Sequence, residues 1–522
     1  MSSGNVATDI LSLADTHADR TALVMGDQSV TFADLSAAAG RAAAAVRGLG
    51  IPTGTRVGVY LPSSPVWLAT YLGLQDAGYT PVVLNAMLTR VELEDILSRV
   101  DVPVVVVDST GAQRISGLRA GSGADVVPMV VEPLADLATA YAGETASPLV
   151  GCREHDAVVM MTSGTVGRPK AAALTHTNMA FGTACGAYCV GISPGCTVVT
   201  AAPMFYDMGI HTLTLTTLNH GGTMVVQDRF DAPSFVDLVA THRPQVLAGT
   251  PTVFLRIAAE GAERRLRVAE TESCIAGGAA MEAKAADQLA AMFPAAAVRQ
   301  IYGMTEVRTL TGSRPEQHAP SSSIGKVIPG VNLRLVDPEG APVDAPDEIG
   351  ELVVHSPGVM RGYLSGERDM FLPGGWMRTG DLASRDDQGW FYFRGRTKEM
   401  ITRGGANVYP REVEEALATA PGIGEVAVVG QPHPELGEVP VAYYVASPGE
   451  SAPDPERLAA YARERLSAYK IPVSFHEVPE LPRNAAGKVT KRRLLPSSPD
   501  HHSAVPVEAQ GPTVTDPRRS TP

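Results

Sequence analysis

The chain has 522 residues, of which 44% are hydrophobic and 19% charged, and its 43 Lys and Arg against 56 Asp and Glu leave a net charge of −13. That length calls for several domains, and the balance suits a soluble globular enzyme rather than a disordered or collagen-like chain. The acidic excess argues against nucleic acid as a partner but leaves room for a small polyanion, because phosphate sites are built locally from backbone N–H groups and a few cations.

Met1 to Leu11 has no basic n-region, and no apolar run reaches the roughly 18 residues of a membrane span, so a cytoplasmic enzyme without a membrane span is expected. Residues 32–48 are Ala-rich and predict a helix ending at Gly48. Strand Val57 to Leu61, helix Trp67 to Leu74, strand Pro81 to Leu84, helix Val91 to Leu97 and strand Pro103 to Val107 continue a strand–helix rhythm, which predicts a mostly parallel sheet covered by helices. After Pro148 the rhythm resumes as a second lobe, with strands at Val158 to Met161, Val198 to Ala202, Met224 to Gln227, Val246 to Ala248 and Ser273 to Ala276, and a helix at 281–293. Gly and Pro then punctuate short alternating runs over about 325–396, predicting a small antiparallel β subdomain. Helices 410–420 and 455–468 and strands 426–429 and 441–445 predict a compact α+β unit. Residues 496–522 read as a disordered tail. Cys152, Cys185, Cys189, Cys196 and Cys274 form no CxxC pair and read as buried structural thiols.

The richest chemistry lies in Met161-Thr-Ser-Gly-Thr-Val-Gly-Arg-Pro-Lys170. A buried strand ends in hydroxyls (Thr162, Ser163, Thr165) and two glycines (Gly164, Gly167) that let the backbone approach a ligand, and Lys170 adds a positive charge. The composition is that of a phosphate cradle, although the Walker A spacing is not met.

Four further segments follow it: Tyr302-Gly-Met-Thr-Glu306, Gly375-Trp-Met-Arg-Thr-Gly-Asp-Leu382, Gly395-Arg-Thr-Lys398 with Arg403-Gly-Gly405, and Pro482-Arg-Asn-Ala-Ala-Gly-Lys488. In this order the five segments resemble the adenylate-forming superfamily of acyl-CoA synthetases, peptide-synthetase adenylation domains and luciferase-like enzymes, over roughly residues 10–495. The resemblance implies an α/β fold. Its large N-terminal body, 1–396, holds two helix-covered sheets and the β subdomain; a small mobile α+β lid follows at 397–495, with its hinge at Lys398.

The resemblance also implies roles. The 162–170 loop would hold the β- and γ-phosphates of ATP, Glu306 would bind Mg²⁺ and Thr305 would contact the α-phosphate. Gly278, Ala279, Ala280 and Tyr302, with Gly303 and Met304, would flank the nucleotide. Asp381 would accept hydrogen bonds from the ribose, supported by Arg396. Tyr206 and Gly277 would border the acid pocket, and Lys488 would neutralise charge shared by the acid and the α-phosphate. In a second lid orientation, Gly404 and Gly405 would leave room for a pantetheine arm.

Several positions depart from the pattern. Val166 and Ala171 replace a usual Thr and Gly, Tyr206 stands for a common His, Ala406 for a Glu and Arg394 for an acidic residue, and Thr402 occupies a place where some relatives carry Lys. The expected activity is adenylation of a carboxylic acid followed by transfer to CoA. Alternatives are loading of a separate carrier protein, nitrite-dependent diazotisation of an aromatic amine, and, outside catalysis, an inert nucleotide-binding scaffold.

Overall fold

Val104–Val107 is four consecutive valines, all buried. β-Branched residues buried on both faces form the interior strands of parallel sheets, where helices cover each side. The computed structural model describes residues 3–132, 137–153, 155–162, 169–278, 283–447, 449, 451–483 and 489–495. Contacts divide the chain into two compact units, Met1–Phe393 and Arg394–Pro522.

The first unit holds two seven-stranded sheets. One runs in the order Gly362–Tyr363, Lys170–Thr175, Asp156–Thr162, Thr80–Val83, Arg56–Tyr60, Val104–Val107, Val127–Val130. The other runs Ala297–Gln300, Ser273–Ala276, Val246–Gly249, Thr197–Thr200, Thr223–Val226, Thr21–Met25, Gln28–Thr31. Neighbours are parallel except at the first two pairs of the former and the last pair of the latter. Helix Phe32–Gly48 starts at a capping box in which Thr31 and Asp34 satisfy each other's backbone N–H groups. Helix Pro65–Asp76 is buried at every residue, as an all-round apolar helix must be. It lies so close to Phe32–Gly48 that a Cβ on Gly73 would collide with the Ala39 carbonyl oxygen.

The strand–helix rhythm correctly predicts α/β architecture, but the division into lobes differs from the expected one. Asp156–Thr162 joins the first sheet through Thr80–Val83, while Thr21–Met25 joins the second through Thr223–Val226. Hydrophobic runs encode burial, not partners, so the exchange leaves no mark in the sequence.

The β subdomain is an antiparallel sheet of Asn332–Val336, Gly350–His355, Trp376–Arg385 and Phe371–Leu372, with Phe391–Arg396 also paired to Trp376–Arg385. Gly362–Tyr363 leaves it and pairs with Ala172 and Ala173 on the first large sheet. A separate three-stranded sheet contains Tyr302–Met304, Arg308–Gly312 and Lys326–Val327.

The second unit is a five-stranded sheet built on the long hairpin Ile423–His433 and Gly437–Ala446, with helices Pro410–Ala418 and Pro455–Arg463. The latter stops five residues short of the expected 468. Ser467 is extended, and the turn Ala468–Lys470 presents the Tyr469 and Ile471 carbonyls to the Arg403 guanidinium at 3.0 and 3.1 Å. Among the described residues no helix is long and apolar enough to cross a membrane. The cysteines are free thiols, and all but Cys152 are buried.

Candidate active site

Strand Asp156–Thr162 and its partner Lys170–Thr175 place Thr162 opposite Lys170 at the mouth of the Gly/Thr loop. Ser163, Gly164, Thr165 and Gly167 lie outside the described residues, as do Ala279, Ala280 and Lys488. Beside Thr162 sits Glu306, in the turn between Tyr302–Met304 and Arg308–Gly312. Gly303 permits this tight hairpin: a Cβ there would collide with the Arg308 carbonyl oxygen. Met304 is paired with Arg308, and Thr305 begins the turn.

Glu306 is buried, and the Tyr363 hydroxyl donates to its Oε1 at 2.6 Å. Burial pushes the Glu306 carboxyl above its ordinary range, opposed by hydrogen bonds from Tyr363 and Thr162. Burial, then the Glu306 charge, pushes the Tyr363 phenol upward. Lys170 Nζ lies 4.9 Å from the Tyr363 ring centroid and pairs with Glu367. Thr162, Lys170, Glu306 and Tyr363 thus form one group: a carboxylate, a cation and hydroxyls at the end of a buried strand.

A second group joins Tyr302 and Asp381. The Tyr302 hydroxyl donates to Asp381 Oδ2 at 2.8 Å, and Asp381 is buried in strand Trp376–Arg385. Thr379 anchors this stretch by donating to the Leu352 carbonyl at 2.8 Å and accepting from the Asp381 N–H at 3.1 Å. Phe393 lies against Tyr302 with ring centroids 6.4 Å apart. Gly278 takes a positive φ of 84°, and a Cβ on Gly277 would come within 3.1 Å of the Met208 sulfur.

A third group was not legible in any motif. Asp207 Oδ1 accepts from His211 Nδ1 at 2.8 Å and from Arg308 Nη2. His211 Nε2 lies 2.8 Å from the Tyr71 hydroxyl, which accepts from Gln75 Nε2 at 2.8 Å. The Asp207 carboxylate can only accept, so the His211 proton sits on Nδ1, and in the neutral imidazole Nε2 accepts from the Tyr71 hydroxyl. Burial and Arg308 lower its pKa to about 4, against the pull of Asp207. Burial alone would raise the Asp207 carboxyl, but Arg308 and His211 hold it well below the usual carboxylate range. Tyr206, next to Asp207, accepts from Asn85 Nδ2 at 3.2 Å, and burial pushes its phenol up to about 12. The one signal for this group was Arg308 itself, a charge two residues after Glu306 in the otherwise uncharged run Val307-Arg-Thr-Leu310. Tyr363 had none, because Gly362–Tyr363 reaches Glu306 only by changing sheets.

In the second unit, Arg396 ends strand Phe391–Arg396 and Lys398 lies in the single turn Thr397–Glu399. Gly404 and Gly405, at φ of 57° and 85°, turn the hairpin between Ile401–Arg403 and Ala406–Val408.

Residues 12–364 match the AMP-binding enzyme family, and residues 412–488 match the AMP-binding enzyme C-terminal domain. A long-chain-fatty-acid–CoA ligase of Bacillus subtilis is 30% identical over 93% of this chain and 93% of its own. A feruloyl-CoA synthase of an Amycolatopsis species is 32% identical over 90% of this chain and 94% of its own. The solved structure of ATP-bound MatB from Rhodopseudomonas palustris superposes with a TM-score of 0.86 at 29% identity, covering 94% of this chain and 98% of that one.

Proposed function

The chain belongs to the AMP-binding enzyme family, and from that premise we propose that it is an ATP-dependent acid–CoA ligase of the AMP-forming type. The observation that carries this reading is the convergence of Thr162, Lys170, Glu306 and Tyr363 at the end of the strand that feeds the Gly/Thr loop. In the first half-reaction an acid oxygen attacks the α-phosphorus of ATP, and pyrophosphate leaves. Such a transition state needs in-line positioning and charge stabilisation, not covalent help.

Thr162, Lys170 and the Ser163–Gly167 segment hold the β- and γ-phosphates, with Lys170 exchanging Glu367 for phosphate oxygen. Thr305 contacts the α-phosphate. Glu306 offers one hard carboxylate beside the Thr162 hydroxyl, and these two would hold Mg²⁺, a hard cation suited to oxygen donors. When bound, that ion neutralises phosphate charge. Asp381, oriented by Tyr302, accepts from the ribose hydroxyls, and Arg396 supports it. The 277–280 segment with Gly303 and Met304 borders the nucleotide, and Tyr206 borders the acid.

Lys488 neutralises the charge shared by acid and α-phosphate. Lys398 is the hinge on which the C-terminal unit changes orientation. Gly404 and Gly405 then admit the pantetheine arm, whose thiolate attacks the acyl carbonyl and expels AMP. The names of the relatives support CoA as the acceptor.

Pyrophosphate and AMP release with ATP, Mg²⁺ and a panel of acids, with and without CoA, tests this reading when products are identified by mass. Acid-dependent pyrophosphate release followed by CoA-dependent AMP release is expected. Turnover to AMP that ignores CoA would transfer the second step to a carrier protein or an amine. Silence across a panel that includes nitrite would leave an inert nucleotide binder.

A further inference from the structure

The strand pair that ends at Thr162 and Lys170 has Asp156 opposite Thr175 at its other end. Strand rise puts about 20 Å between the two ends. Two pockets open at this far end, one of about 510 Å³ and one of about 360 Å³, and Arg153 and Thr175 stand in the walls of both. Each is of a size that holds a small ligand.

Helix His176–Val190 begins there. Its capping box joins Thr175 and Asn178, each accepting from the other's backbone N–H. The N–H groups of His176 and Thr177 remain for another acceptor, at the positive end of the helix dipole, and both residues line the larger pocket. The His176 side chain lies there more than nine-tenths buried, with the residue 7% exposed, and makes no hydrogen bond with a described residue. Burial, then the Arg153 charge, lowers its pKa to about 4, so at neutral pH the imidazole is uncharged and has one N–H to donate. A polar group buried to that degree costs stability until a partner meets it.

Arg153 is exposed and has no hydrogen bond or ion pair with a described residue. Gly4 makes room for it, since a Cβ there would come within 2.5 Å of Arg153 Nη1. In the smaller pocket Arg361 Nη2 meets Asp156 Oδ2 at 2.7 Å, yet 56% of the Arg361 side chain stays exposed against 9% for Asp156. Arg56 also faces Asp156, so the charge of this carboxylate is matched from within the fold and does not repel an incoming anion. Ala180, Phe181 and Pro357 give the larger pocket an apolar wall.

We propose that this far end is a second anion site, apart from the nucleotide end, which binds a phosphate monoester with an aromatic body. The phosphate oxygens accept from Arg153 and from the N–H groups of His176 and Thr177, with Arg361 as a flanking cation, and the ring lies on Ala180, Phe181 and Pro357.

The experiment titrates phenyl phosphate by calorimetry into the full-length wild type, Arg153→Ala, Thr177→Asp and Lys170→Ala. Arg153→Ala should weaken binding about 10- to 100-fold, as loss of a charge-assisted contact does. Thr177→Asp should weaken it as much by repulsion without lowering the melting temperature, because an acid in the first turn suits the helix dipole. Lys170→Ala alters only the nucleotide end and should retain the binding. Inorganic phosphate should bind about tenfold more weakly, since it leaves the apolar wall bare. Should Arg153→Ala fail to fold, Thr177→Asp decides alone. Binding lost in Lys170→Ala but kept in Arg153→Ala and Thr177→Asp would place the phosphate at the nucleotide end and overturn the inference. No binding to the wild type, equal binding by all four proteins, or inorganic phosphate binding as tightly as phenyl phosphate overturns it too. The ligase reading stands or falls separately, on acid-dependent pyrophosphate release.

Discussion

Among the described residues of the first unit two arginines lie buried, Arg299 and Arg308, and the fold treats them differently. Arg299, on the edge strand Ala297–Gln300, is 2% exposed. Its Nη1 donates to the Cys189 carbonyl at 2.9 Å and to the Ser313 carbonyl, its Nη2 donates to Ser273 Oγ at 2.7 Å, and Nε has no partner among the described residues. Burial lowers its pKa to about 10. Its acceptors are neutral and come from three separate segments, so Arg299 ties a strand edge to a helix end and a loop. Arg308 meets one carboxylate, and its Nε and Nη1 have no acceptor among the described residues. Burial of a charge is therefore not one phenomenon. Where the fold supplies the acceptors the residue ties separate segments together, and at Arg308 a single carboxylate, Asp207, meets the charge.

The same contrast orders the expected effects of mutation. Lys488→Ala removes the charge proposed to act on the reacting groups alone. It should lower adenylation about 10³-fold while leaving thiol transfer from preformed adenylate nearly intact. Equal loss in both half-reactions would break the assignment of Lys488 to one of them. Arg299→Met should cost about 3 kcal/mol in urea unfolding, because buried carbonyls lose their donors, with kcat/KM of the folded protein little changed. A variant that folds normally but loses activity would place Arg299 with the ligand-directed charges.

Glu306→Gln should lower pyrophosphate release about 10²-fold without lowering the melting temperature at pH 7. The sign follows from the raised folded-state carboxyl. Its stabilising contribution is complete below the unfolded value, near 4.3, and is lost as pH rises through the folded one, so the charged form costs stability at neutral pH and Gln relieves that cost. A clear drop in melting temperature would assign Glu306 to the fold. Tyr363→Phe should have the smallest effect. It deletes a hydrogen bond that favours the Glu306 carboxylate, so the acid limb of the activity–pH profile should move to higher pH. A downward or absent shift would detach Tyr363 from the function of Glu306.

Local chemistry made much of the candidate site legible. Thr162, Lys170, Glu306, Tyr302 and Asp381 stand in short segments whose glycines and hydroxyls announce a backbone that must turn and a ligand with many oxygens. Helix Phe32–Gly48 and strand Val104–Val107 were legible because their periodicity and branching are properties of the segment itself. Helix Pro455–Arg463 was overextended because its end depends on Arg403, more than 50 residues away, drawing the Tyr469 and Ile471 carbonyls out of helical alignment.

The sequence by itself determined the α/β class and the family, and it supplied the segments proposed to meet the nucleotide, since each rests on contiguous residues. Only the tertiary structure decided that Tyr363 joins Glu306, that strand Asp156–Thr162 belongs to the first sheet, and that Arg308 is buried against Asp207 between Gly182 and Gly358. Partnership across 50 to 126 residues carries no local signature. It arises when packing removes water from both partners at once, and that event is written in the contacts of the folded chain.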